Sequence, residues 1–424
     1  MSTTQKTQSY ALPIAMMFAL FFMIAFVTGL PSPMGVIVAN QFGASNFESQ
    51  LGFLGNFIAY AFMGIPAGIM LKKLGYKVTA LIAIAVGFVG VGVQFLSGQV
   101  GVFAVYLIGA FISGFSMCML NTVVNPMLNT LGGGGNSGNK LLQFGGSLNS
   151  IGATITPMLV GYLMGAEAGR TIEKANPALF LAMGIFALAF IVLSFVNIPE
   201  PHKETAEQRS VKHSHSPLSF RHFIFGAIAI FIYVGVEIGI PSTANLFMTA
   251  KTTAENPGLG IDATIAGSIV GIYWLLMLVG RLIGGVLGSK ISSKTMLITV
   301  STFGLIFITL AILVPTTITA TIPFVDVEVP LSIILFVLCG LCTSIMWGGI
   351  FNLAVEGLGK YTAAASGIFM VMVCGGGIVP LIQGWVSDNF GYINSYWVMF
   401  ACLAYMLWYA LVGCKNVNTD IKVD

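Results

Sequence analysis

Apolar runs alternate with short polar stretches along almost the whole chain. They fall at 11–38, 50–71, 78–97, 102–128, 142–165, 178–198, 220–248, 264–288, 296–315, 330–355, 362–386 and 394–413. Each is long enough for a helix to cross a bilayer, which takes ~20 mostly apolar residues. The pattern predicts an all-α integral membrane protein with twelve transmembrane helices. The longest polar segment, Glu200 to Pro217, separates six runs from six. The expected organisation is therefore an N-terminal bundle over 1–199, a linker over 200–218 and a C-terminal bundle over 219–424. The segment before the first run is short and polar with a single Lys, and the run exceeds a signal-peptide core, so it is read as a retained span.

A repeat is superimposed on this pattern. Gly64-x3-Gly68-x2-Leu71 matches Gly280-x3-Gly284-x2-Leu287, Asn125-x5-Leu131-Gly132 matches Asn352-x5-Leu358-Gly359, and Gly152-x4-Pro157-x3-Gly161 matches Gly375-x4-Pro380-x3-Gly384. The offset is roughly 220 residues each time. The matches pair spans two with eight, four with ten, and five with eleven. An even number of spans between partners implies parallel halves about an axis along the membrane normal. The predicted fold is thus two pseudo-symmetric six-helix bundles.

Composition agrees with a lipid solvent: 56% of residues are hydrophobic and only 8% charged, about a third of the charge of a soluble domain. The net charge of +3 is no nucleic-acid footprint, because the basic residues sit in loops. Of the 18 Lys and Arg residues, Arg281 lies in a span and Arg170, Lys174 and Lys251 in alternate loops. All the others fall in the remaining loops and the terminal segments or, for Arg221, at the loop end of its run, so the positive-inside rule places both termini in the cytoplasm. A multi-pass protein of the cell membrane, working as a monomer, is expected. Cys118, Cys339, Cys342, Cys374, Cys402 and Cys414 lie in or at the ends of apolar runs and are expected as free thiols rather than a disulfide framework. His213 and His215 read as a solvated linker rather than a metal site, and no cofactor motif is present. No paired carboxylates, His/Cys cluster or Ser/His arrangement in the spans suggests an enzyme.

The polar exceptions inside the spans carry the chemistry. An amide in hydrocarbon costs free energy unless partnered, so Asn and Gln in spans face a bundle interior or a watery cavity. Asn121 and Asn125 stand in span four and Gln143 and Asn149 in span five, around a Gly/Asn hinge with Lys140. Asn245 in span seven and Trp347 and Asn352 in span ten join them as candidate ligand contacts. Interhelical hydrogen bonding is the competing reading for any one amide. Glu237 is the only acid deep in an apolar run, ~25 Å along its helix from Phe220. It is a candidate for ligand or coupling-ion binding, against a bond to a neighbouring helix. Arg281 and Glu356 lie near cytoplasmic span ends, where snorkelling or pairing with loop charges accounts for them. Pro31 and Pro33 should free the carbonyls of Val27 and Gly29, Pro126 that of Thr122, and Pro241 that of Glu237. Spans one, four and seven are therefore expected to be broken and to line a cavity. Aromatic rings at Tyr273, Trp274 and Trp347 are suited to stacking on a sugar face.

The segments LNTVVNPMLNTLG and LNSIGATITPMLVG resemble spans four and five of the fucose permease and glucose/galactose transporter group of the major facilitator superfamily. FIYVGVEIGIPS, GIYWLLMLVGRLIGG and SIMWGGIFNLAVEGLGKYTAAASGIFMVMVCGGGIVPLIQGWVSD extend the likeness over spans seven, eight, ten and eleven. The resemblance implies alternating access between two bundles and cation-coupled uptake of a neutral monosaccharide by H+ or Na+ symport. Acids found in spans one and four of the proton-linked fucose permeases are replaced here by Ser32 and Asn121, and a Gln one turn before Asn149 by Gly146. Asn149 and Glu237 are retained. A facilitator for another polyol, amino sugar or nucleoside, and a non-transporting sugar sensor, are the alternatives.

Overall fold

Backbone polar groups in hydrocarbon must be satisfied within their own segment, so long apolar runs fold as helices. The computed structural model describes residues 10–131, 135–164, 172–200, 215–287, 291–322, 325–358, 361–418 and 420–421. Linker residues 201–214, with His213, lie outside these, as do the side chains of Ser32, Lys140 and Gln143. The first half holds α1 (Ala11–Gly29), α2 (Pro31–Phe42), α3 (Asn46–Ser49), α4 (Leu51–Leu74), α5 (Tyr76–Val100), α6 (Phe103–Leu131), α7 (Gly135–Met164) and α8 (Asn176–Phe195). The second holds α9 (Arg221–Thr249), α10 (Ala263–Leu287), α11 (Ser293–Leu313), a hairpin of β1 (Thr319–Ile322) and β2 (Val327–Pro330), then α12 (Leu331–Thr343), α13 (Met346–Val355), α14 (Thr362–Met372), α15 (Gly375–Phe390) and α16 (Tyr392–Trp408). The hairpin occupies a stretch that the pattern leaves as a loop; Ala320 pairs with Val329 and Thr321 with Glu328.

Among the described residues, eleven helical stretches are long and apolar enough to cross a membrane. The twelfth pass, α7, has 30 residues but is rich in Gly, Ser and Asn. Its polarity is what a helix facing a bundle interior carries. The chain makes twelve passes, as the apolar pattern predicts. Helix α1 packs on α6 and α7, and α4 and α5 on α6; in the second bundle α9 packs on α13, α15 and α16, and α12 on α10 and α11.

The repeat is visible in how helices cross. Small residues let membrane helices approach closely. A Cβ at Gly114 of α6 would strike the Asn56 carbonyl of α4, and one at Gly340 of α12 the Tyr273 carbonyl of α10. These are equivalent positions in the two halves. The contact between halves obeys the same symmetry: α7 packs on α10, and α4 on α14 and α15. Span five meets span eight, and span eleven meets span two, as exchange of the halves requires.

Two of the three expected proline breaks do not occur. Pro126 and Pro241 lie inside continuous α6 and α9. The chain breaks instead at Leu30–Pro31, at Ser344–Ile345 between α12 and α13, and at Val373–Cys374 between α14 and α15. At the first break the Val27 carbonyl is not left open: the Leu30 N–H donates to it at 3.2 Å. At the third, tight turns from Gly376 to Val373 and Gly377 to Cys374, both 3.0 Å, replace the helical pattern at a run of glycines.

All passes run between two ends of the molecule. Tyr10, Glu200, Ser216 and Cys414 share one end; α3 and the hairpin lie at the other. At the α3 end the halves are bonded to each other. Ser45 and Glu48 form a capping box, Glu48 N–H donating to Ser45 Oγ at 3.1 Å and Ser45 N–H to Glu48 Oε2 at 2.9 Å. This leaves the amides of Asn46 and Phe47, which donate to Asp388 Oδ1 and Oδ2 of the second half at 2.8 and 2.9 Å. Tyr392 donates to Asn46 Oδ1 at 2.9 Å and Ser242 to Gln50 Oε1 at 2.8 Å. All six cysteines are free thiols.

Candidate functional site

Glu237 and Arg281 meet in the middle of the molecule. Glu237 lies just past the midpoint of α9, and its Oε1 stands 3.5 Å from Arg281 Nη2 of α10. The side chains are 15% and 14% exposed. Arg281 was expected to snorkel or pair with loop charges; it turns inward instead. A lone carboxylate and a lone guanidinium buried in adjacent helices each lower the other's cost, because an unpaired buried charge is worth several kcal/mol of destabilisation.

The guanidinium is held more closely by the other half. Its Nη1 donates to the Gly146 carbonyl at 2.7 Å and to Ser150 Oγ at 2.8 Å, both on α7, while Nε reaches the Ser344 carbonyl at 3.4 Å. A charge-assisted N–H···O bond is about 2.7–2.9 Å long. The bonds to α7 are therefore full length and the ion pair is loose. Ser344 sits at the break between α12 and α13, so one side chain joins α7, α9, α10 and the broken tenth pass.

The carbonyl of Glu237, which Pro241 frees, is not open to a ligand as expected. The Tyr273 hydroxyl donates to it at 3.2 Å and lies 3.0 Å from Thr343 Oγ1. This explains why α9 continues through Pro241. Tyr273 is a structural hydroxyl, and only the carboxylate of Glu237 faces the site. Tyr233, one turn earlier and fully buried, stands beside the pair, with its ring centroid 6.2 Å from that of Trp347. Trp347 is thus part of the cluster.

The candidate amides Asn121, Asn125 and Asn149 bond within the first half. Asn121 Nδ2 donates to Tyr60 Oη at 3.0 Å and to the Met117 carbonyl at 3.1 Å. Asn125 Nδ2 bonds the Asn121 carbonyl at 2.8 Å, and Asn149 Nδ2 the Phe21 carbonyl of α1 at 3.2 Å. Each amide thereby ties helices or its own turn while its side chain remains half-buried. Asn245 is buried two turns beyond Glu237, next to the Ser242–Gln50 contact and away from the ion pair. Asn352 is exposed on α13. No group of three metal-ligating side chains occurs among the described residues. A small void lined by Ile240, Pro241, Ala244, Tyr273 and Phe336 is apolar and suits no hydroxylated ligand.

The model of the Major Facilitator Superfamily matches residues 16–380. The chain belongs to the Major Facilitator Superfamily. Within this superfamily it is 29% identical over 417 residues to the "Glucose/galactose transporter" of Brucella abortus biovar 1 (strain 9-941), covering 97% of each chain. It is 25% identical over 414 residues to the "L-fucose-proton symporter" of Escherichia coli (strain K12), covering 92% of this chain and 90% of the relative. The fold matches the crystal structure of the transporter FucP in the outward conformation, with a TM-score of 0.69 over 95% of this chain and 99% of that one at 22% identity. It also matches a crystal structure of the nucleoside transporter NupG, with a TM-score of 0.68 over 95% of this chain at 15% identity. These relatives are transporters, in line with the expectation that the chain is no enzyme.

Of the candidate residues, Glu237 and Trp347 both lie beside Tyr233; Arg281, Ser150 and Ser344 are not among the candidates the sequence offers. One signal was available. Arg281 is the only cation well inside a span and Glu237 the only deep acid, and opposite charges in hydrocarbon lower each other's cost by pairing.

Proposed function

We propose that this chain is a secondary transporter that imports a neutral monosaccharide by proton symport through alternating access. The observation that carries the reading is the Glu237–Arg281 pair, a buried site with no net charge. An anionic solute would need an uncompensated cation there, and a cationic one an uncompensated acid. The half-buried amides Asn121, Asn125 and Asn149, and Trp347 beside Tyr233, offer neutral donors and a ring face, which suit hydroxyls and a sugar face. The printed names of the glucose/galactose and L-fucose relatives support the same solute class.

Glu237 is the coupling group in this reading. A sodium ion needs several oxygens, whereas here a guanidinium occupies the carboxylate's side and Tyr273 takes the carbonyl. A proton needs one oxygen. The linker end is cytoplasmic by the distribution of Lys and Arg, so the bonded α3 end faces outward and the structure is closed to the outside. The bundles divide as 1–199 and 219–424 about the linker.

The test is counterflow in proteoliposomes with labelled glucose, galactose and fucose, competed by nucleosides and amino sugars. Exchange of a monosaccharide, inhibited by other monosaccharides, is the expected result. Exchange of nucleosides alone would assign a different solute, and binding without exchange would make the protein a sensor.

A further inference from the structure

The guanidinium of Arg281 has two sets of partners on opposite sides of the interface between bundles. On one side are the Gly146 carbonyl at 2.7 Å and Ser150 Oγ at 2.8 Å; on the other are Glu237 Oε1 at 3.5 Å and the Ser344 carbonyl at 3.4 Å. The first set moves with α7 and the second with α9, so any rocking of one bundle on the other changes their separation. Arg281 belongs to α10 and moves with α9, so such a movement takes it from α7. It is always protonated and only donates, so losing its two full-length bonds in a low-dielectric interior is costly.

We propose that Arg281 is a positioning residue that is handed between the two bundles, and that the charge on Glu237 decides where it sits. With α7 in place, the guanidinium leans on Gly146 and Ser150 and the ion pair is slack, as the distances record. When α7 withdraws, those bonds are lost and an ionised Glu237 supplies a full-length ion pair in exchange. A protonated Glu237 offers no such replacement, so the cation stays on α7 and holds the bundles in this arrangement. Proton binding and bundle contact are thereby linked through one side chain. Among the described residues, the titratable or charged groups around Glu237 are Arg281 and Tyr273 on α10 and Tyr233 on its own helix. Of these, Arg281 hydrogen-bonds to the opposite bundle.

This rests on Glu237 being the proton site. The experiment is sugar binding against pH in the full-length protein, for the wild type, Ser150→Ala and Ser150→Thr. Ser150→Ala removes one of the two α7 acceptors and touches neither charge. Arg281 should then spend more time on Glu237, favouring the carboxylate, and the pH midpoint of sugar binding should fall by about 0.5–1, the equivalent of one hydrogen bond. Ser150→Thr keeps the hydroxyl and should restore the wild-type midpoint. If Ser150→Ala lowers thermal stability or rate but leaves the midpoint unmoved, the contact is helix packing and the inference fails while the proton site stands. If the wild type binds sugar without pH dependence, the proton reading fails and takes the inference with it. Glu237→Gln with Arg281→Gln gives a second check. The double variant should recover the thermal stability lost in Arg281→Gln and perform counterflow without accumulation. Wild-type accumulation in that variant would show that the pair has no part in coupling.

Discussion

Asp388→Asn isolates the contact that closes the α3 end. In the structure both carboxylate oxygens accept a backbone N–H, from Asn46 at 2.8 Å and Phe47 at 2.9 Å. The asparagine keeps one acceptor and turns an NH2 group towards the second amide, so one charge-assisted bond is lost and the other weakened. A hydrogen bond to a charged group is worth about 1.5–3 kcal/mol. The site is only part-buried, so about 1–2 kcal/mol is the appropriate range after solvent screening. Tyr392 and Ser242 still hold their partners, so the change should bias the bundles rather than unfold them. That free energy corresponds to a roughly 5–30-fold rise in the ratio of open to closed molecules at this end. Ser49→Cys reports it, because Ser49 is 4% exposed in the closed arrangement and the substitution is nearly isosteric. Its alkylation by a membrane-impermeant maleimide in intact cells, measured above the background of the native thiols, should accelerate by that factor when Asp388→Asn is added. An unchanged rate would refute the idea that Asp388 holds the two halves together.

Three further outcomes follow from named contacts. Asn149→Ala breaks the bond to the Phe21 carbonyl between α7 and α1 and should lower stability in detergent by ~0.5–1.5 kcal/mol; unaltered stability would mean that the amide does not tie the two helices. Tyr273→Phe leaves the carbonyl freed by Pro241 without its donor and should cost ~1–3 kcal/mol in a thermal unfolding assay, whereas no loss would mean another group satisfies it. Cysteines placed at Ser216 and Glu255, exposed positions at opposite ends, should be labelled from the cytoplasm and from outside respectively; the reverse would overturn the charge argument for orientation.

The fold was legible because hydrocarbon leaves the backbone few choices. Twelve apolar runs could only become twelve helical passes, and two glycines of the repeat, Gly152 and Gly375, each cross close to a carbonyl of the first span of their half, at Phe22 and Phe231. Where helices break was not legible. Pro126 and Pro241 carry the obvious signal, yet the freed carbonyl at Glu237 is satisfied by a hydroxyl from another helix. The tenth pass breaks at Ser344–Ile345 without any proline. Such breaks depend on tertiary partners that the local sequence does not contain. The site divides in the same way. Glu237 announces itself as a charge in an apolar run, and Trp347 as a ring beside glycines. Gly146 and Ser150 have no such mark: one contributes a carbonyl that every residue possesses, the other a hydroxyl that ordinarily bonds its own helix. Asn121 and Asn125 were conspicuous for the same reason as Glu237, and their bonds to Tyr60 and to their own helix show that conspicuous polarity also serves packing.

The central claim is that sugar entry is driven by a proton bound at Glu237. The direct measurement is accumulation of a labelled sugar, of the kind exchanged in counterflow, in proteoliposomes under an imposed pH gradient without sodium and under a sodium gradient at equal pH. This is done for the wild type and for Glu237→Gln. Accumulation with the pH gradient alone is expected in the wild type, and exchange without accumulation under either gradient in Glu237→Gln. Accumulation driven only by sodium, or undiminished proton-driven accumulation in Glu237→Gln, would contradict it.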